Sequence, residues 1–95
     1  MKLIKPIQAH GETITELNFR EPTGNDIIAC GFPFKIETSG RETKQVIDTQ
    51  AIGAYIAALA GIPSSSVAQL AVLDYTRAMG EIVGFFGDMA SQAPS

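Results

Sequence analysis

Gly61-Ile62-Pro63 constrains this chain more than any other segment, because it divides an otherwise helical C-terminal half in two. Glycine readily takes the left-handed conformation that ends a helix, and a proline two positions on lacks the N–H that a continuing helix needs. Upstream, Ile52, Ile56 and Leu59 recur at i, i+4 and i+7, and Asp48 or Thr49 stands where a cap belongs. That spacing predicts a helix over about 49–60. Downstream, Ser64, Ser65 or Ser66 can cap a second helix over about 64–88, and about 24 residues rising about 1.5 Å each make a rod of about 36 Å. The short link between them predicts an antiparallel helical hairpin.

The N-terminal half reads differently. Ile4–Ile7 and Thr13–Arg20 are expected strands, within residues 2–20, joined through Ala9-His10-Gly11-Glu12. In the second strand Thr15, Leu17 and Phe19 share one face, and Glu16, Asn18 and Arg20 the other. Pro6 has no N–H to donate, which makes the first strand an edge. A lone hairpin is marginal in water, so this one must pack on something. Pro22 and Thr23 open a short helix over about 23–31, with Thr23 or Asn25 as cap, Asp26 near its positive end and Gly31 as its stop. Residues 32–47 read either as irregular or as a second hairpin. Phe32, Phe34 and Ile36 alternate with polar residues or proline and Thr43–Ile47 is the candidate return strand, but Pro33 argues against a central position. A loose tail is expected over 90–95. The fold class expected is α+β in one domain over 1–95: an N-terminal antiparallel β-hairpin, with or without the second hairpin, packed on a C-terminal antiparallel helical hairpin.

Composition narrows function mainly by exclusion. With 45% apolar and 18% charged residues the chain should fold. A net charge of −3 and the absence of a basic cluster argue against a nucleic-acid partner. The longest apolar stretch, Ala51–Ile62, falls short of the roughly 20 residues a membrane span requires, and no signal peptide is legible. One cysteine excludes an intramolecular disulfide and suits a reducing compartment.

No catalytic, cofactor or metal site is expected. His10 is the one histidine and sits in a turn, where it reads as solvated. Cys30 reads as a small buried hydrophobe, and the serine run as a helix cap. Phosphate-binding, dinucleotide and nucleophile-elbow motifs are all missing. The last helix is more informative. Gly80 and Gly84 lie one turn apart, each costing up to about 1 kcal/mol of helix propensity, and close approach of another helix, from this chain or a partner, is the natural compensation. Ile82, Val83, Phe85, Phe86 and Met89 form a dense apolar tip too broad for one narrow stripe. Leu70, Leu73, Ile82, Phe85 and Phe86 are therefore the candidate partner-binding residues, and replacing both phenylalanines by serine is expected to spare the fold. Asp74, on the apolar side, needs a partner; Arg77 at i+3 is the candidate for a structural ion pair, with Arg20 as the alternative.

The order of phrases along the chain resembles the tail assembly chaperones of long-tailed bacteriophages, the small E-type proteins of Mu-like and P2-like phages. The phrases are Pro6-Ile7, Gly11, Leu17-Asn18-Phe19-Arg20-Glu21-Pro22-Thr23 with Asp26, Leu59-Ala60-Gly61-Ile62, then Leu70, Asp74 and Phe85-Phe86. They span about residues 3–86, and residues 31–48 match least. The resemblance implies a non-enzymatic assembly factor in the host cytoplasm, absent from the mature virion. It would bind the phage tape-measure protein and keep it soluble until tail-tube protein polymerises around it. It further implies, as a companion, a frameshift-extended form of the same protein. Separately from the resemblance, a homo-oligomer is a candidate state, and the residues predict no cofactor. The alternatives are a structural virion component, such as a small tail or adaptor protein, and a small dimeric regulatory or binding domain.

Overall fold

His10 (φ 54°) and Gly11 (φ 76°) turn the chain between its first two strands in the computed structural model, which describes residues 1–91 and side chains as far as residue 87. Two successive positive φ values make the primed turn whose twist suits a two-residue hairpin. β1 (Lys2–Ala9) and β2 (Glu12–Glu16) pair antiparallel, with Ala9 opposite Glu12 and Ile7 opposite Ile14. The next pair is Lys2 with Glu16, so β1 bulges outward over Leu3–Pro6, where Pro6 owes the ladder no N–H. β2 ends at Glu16, short of the expected Arg20. The expected inward face changes with it: Thr15 is exposed, Ile14 packs on the core, and Leu17 and Phe19 enter from beyond the strand.

The segment after β2 closes on itself. Arg20 holds Asp26 bidentately, Nη1 to Oδ2 at 2.7 Å and Nη2 to Oδ1 at 2.8 Å. The Thr23 amide donates to the same carboxylate at 2.8 Å, at the start of α1 (Gly24–Cys30). Arg20 is thus committed to Asp26 and is not the partner of Asp74. Its own amide donates to the Leu59 carbonyl at 3.1 Å, fastening this loop to the second half of the chain.

A second hairpin follows, β3 (Phe34–Ser39) with β4 (Glu42–Ile47), turning at Gly40 (φ 61°). It forms its own two-stranded sheet, and Pro33 lies buried at its base, outside the strand. α2 (Thr49–Ala60) starts at Asp48, whose carboxylate accepts from the Gln50 and Ala51 amides, and ends at Gly61 in the left-handed conformation (φ 70°).

The single helix expected over 64–88 is two helices, α3 (Ser64–Val67) and α4 (Val72–Ser91). Side chains on both sides of the break reach the outer edge of β1. Ser66 Oγ donates to the Gln8 carbonyl at 2.6 Å, so this serine closes a strand edge and does not cap a helix. Gln69 accepts from the Gln8 amide at 2.9 Å. Asp74, fully buried, accepts from the Ile4 amide at 3.0 Å and the Lys5 amide at 3.1 Å, and Arg77 donates to the Lys2 carbonyl at 3.1 Å. Arg77 also stands 3.8 Å from Asp74, a longer contact than those the bulge supplies. An unpaired strand edge is thereby covered by side chains.

Ile7, Leu17, Ile52, Tyr55, Ile56, Leu59, Ala78 and Ile82 form the core between the first hairpin, α2 and α4. Phe86 completes it, edge-on to Tyr55 at 5.4 Å and to Phe34 at 6.3 Å between ring centroids, which joins the second hairpin to the rest. The expected loose tail and any contact of Met89 lie outside the residues whose side chains are described.

Truncating fully buried Ile56 to alanine should cost about 2–5 kcal/mol in urea denaturation. Acid should act through two carboxyls. The Ile4 amide, helped by the Lys5 amide and Arg77, holds the Asp74 carboxyl below its ordinary 3.8 despite burial, and Arg20, then the Thr23 amide, do the same for Asp26. Groups more acidic when folded stabilise fully above their unfolded value and lose that contribution as pH falls below it. The stability advantage of the wild type over Asp74→Asn should therefore be largest at neutral pH and narrow as pH falls below 3.8. A difference that stays constant with pH would contradict this.

Candidate partner-binding surface

Where α2 passes the junction of α3 and α4, a cleft of about 590 Å³ opens to solvent. Gly53 and Ala54 of α2, Val67 of α3 and Leu70, Val72 and Tyr75 form most of its walls, and no charged residue lines it. Gly53 keeps this approach uncrowded: a Cβ would stand 3.2 Å from the Tyr75 hydroxyl, a tight contact, and that hydroxyl donates to the Thr49 carbonyl at 2.7 Å. Burial pushes the Tyr75 phenol up, keeping it a neutral donor. At the start of α4, Val72 is 84% and Leu73 56% exposed. An open, uncharged groove with such a rim suits the apolar stripe of another chain better than an ionic ligand.

The five expected partner-binding residues do not form one surface. Leu70 lines the cleft and Leu73 is exposed at the start of α4, outside the cleft lining, whereas Phe85 is half-buried against the core. Ile82 and Phe86 are core residues, 0% and 5% exposed, so they offer nothing to a partner, and serine at Phe86 would not spare the fold. Val72 was missed. Its signal was its place off the Ala78–Ile82–Phe86 stripe, which left a large apolar side chain facing outward.

The other candidate groups are His10 and Cys30. His10 is exposed but not merely solvated: its Nε2 lies 3.2 Å from the Gly61 carbonyl oxygen. Cys30 is a free, half-buried thiol pushed up by burial. Among the described residues no group of His, Cys, Asp and Glu could hold a metal ion, and no helix is long and apolar enough to cross a membrane.

The family model described as phage tail assembly chaperone proteins, E, or 41 or 14, matches residues 1–87. The chain belongs to this family. No curated protein and no solved structure matches it.

Most of the phrases by which the chain resembles other tail assembly chaperones are structural in this fold. Leu17, Leu59 and Phe86 are core, Arg20 and Asp26 close a loop, Gly61 ends α2 and Asp74 seals β1. The glycines of α4 are different. Gly80 and Gly84 are exposed, with nothing within 4 Å of a Cβ built on either, so among the described residues no other helix approaches them closely. The compensation expected inside the chain is not found among those residues. Gly80→Ala should accordingly raise stability by about 0.5–1 kcal/mol, read as a higher urea midpoint at unchanged slope; a loss would mean that the helix needs this glycine.

Proposed function

We propose that this tail assembly chaperone binds the phage tape-measure protein and keeps it soluble until tail-tube subunits polymerise around it. It does so without catalysis, in the host cytoplasm, and leaves before the virion matures. The supporting observation is the uncharged cleft at the α2 and α3–α4 junction, with exposed Val72 in its wall and exposed Leu73 next to it in sequence, in a member of a tail assembly family. A tape-measure protein must be long and largely helical, with apolar stripes that associate if left bare. An amphipathic helix can lay such a stripe along the cleft through anchors spaced three or four residues apart. Each contact can be weak, since many copies on one chain bind with avidity.

The test is coexpression with the tape-measure protein, comparing a Val72→Asp/Leu73→Asp variant with the wild type. Both side chains are largely exposed, so melting should change little, on the order of 0.5 kcal/mol. The variant should lose most of the soluble tape-measure protein, while Ile28→Asp, exposed on α1 away from the cleft, should not. Equal recovery with the double variant and the wild type would remove the cleft from the mechanism.

A further inference from the structure

The two hairpins treat their edges oppositely. The outer edge of β1 is closed by Ser66, Gln69, Asp74 and Arg77, whereas no hydrogen bond from another described residue meets the outer edge of β3. The phase of the β3–β4 ladder is fixed by the Asp48 amide, which donates to the Pro33 carbonyl at 2.8 Å. Antiparallel pairs alternate between bonded and non-bonded. Counting outward from Pro33–Asp48, the bonded pairs are Lys35–Val46, Glu37–Lys44 and Ser39–Glu42, the last flanking the two-residue turn as hairpin geometry requires. The N–H and C=O groups of Phe34, Ile36 and Thr38 therefore point away from β4, and none meets a protein partner among the described residues. Ile36, at the centre of this edge, is 74% exposed.

The charges flanking Ile36 say what fits. Lys35 precedes it and Glu37 follows it. Suppose a second copy of β3 lies antiparallel to the first, with the two-fold axis through Ile36. Each Ile36 then exchanges N–H···O bonds with its counterpart, and Phe34 does so with Thr38 of the second copy. Lys35 falls opposite Glu37 of the second copy, in the non-bonded pairs where Cα atoms approach to about 4.5 Å and side chains come closest. Hydrogen-bond phase and charge thus agree on one register. The other free edges offer less. On β4 the axis through Gln45 sets Lys44 against Val46, and the axis through Thr43 sets Glu42 against Lys44 but overlaps the strands only over Glu42–Lys44, beside the turn, whereas the β3 register overlaps over Phe34–Thr38. β2 carries Glu12 and Glu16 with no cation. Lysine on an edge ordinarily discourages strand addition, and here the glutamate two residues on makes this sequence its own complement.

We infer that the chaperone self-associates through β3, two copies forming a four-stranded intermolecular sheet in the order β4–β3–β3–β4. This lies in the second hairpin and does not depend on what the cleft binds. Charge reversal with rescue tests it by sedimentation equilibrium, with circular dichroism as the check on folding. The wild type should reach twice 10.1 kDa. Lys35→Glu and Glu37→Lys, each placing like charges opposite one another twice, should each weaken the dimer about tenfold or more. The two substitutions together should restore it. A monomeric wild type, a dimer indifferent to the single reversals, or a double variant as weak as the singles would overturn the inference.

Discussion

The carboxylate of Asp74 ties the two halves of this fold together. The bulge in β1 takes the Ile4 and Lys5 amides out of the hairpin ladder, and both then need an acceptor. Asp74 supplies it from the first turn of α4, fully buried, with the two amides as its closest partners. Neither group is stable alone: an unpaired carboxylate would not tolerate burial, and the bulge would leave its amides unsatisfied. The position of Asp74 sets where α4 begins, and the start of α4 sets the direction in which Ala78, Ile82 and Phe86 enter the core. The break after α3 falls among the residues that reach β1: Ser66 before it and Gln69 within it meet Gln8, and Asp74 beyond it meets Ile4.

This closure also positions the candidate partner-binding surface. With α4 turned so that Asp74 faces the sheet, Val72 and Leu73 project outward and the cleft opens beside them against α2. The second hairpin has no comparable fastening. It meets the core mainly through Phe34 on Phe86 and leaves a strand edge bare. One molecule thus presents two candidate contact surfaces, an apolar groove suited to a helix and a strand edge suited to another strand. In an assembly factor, the first can serve a client and the second a copy of itself.

Much of the architecture was legible in the sequence. The Gly61-Ile62-Pro63 stop and the i, i+4, i+7 spacing of Ile52, Ile56 and Leu59 are local signals, and local signals fix helices well. Asp74 was legible as a buried carboxylate in need of a partner. Which partner was not, because Ile4 lies 70 residues away in sequence and the acceptor role comes from a bulge that no local pattern announces. Ser66 failed for the same reason: three serines at a helix start look like caps, and only the fold brings Gln8 within reach. The apolar end of α4 misled because a broad apolar surface in sequence can be a core contacted from two sides. Phe86 touches both Tyr55 and Phe34, which accounts for one side of a breadth that resembled an exposed patch.

Amide hydrogen exchange on the chaperone, alone and in complex with its coexpressed tape-measure protein, tests the central claim most directly. The Ile4 and Lys5 amides should be protected in both states, since Asp74 holds them in either. Protection should rise on complex formation along the cleft walls, from Gln50 to Ala54 and from Ser64 to Thr76. An unchanged cleft, with new protection confined to α1 or to the first hairpin, would contradict the account.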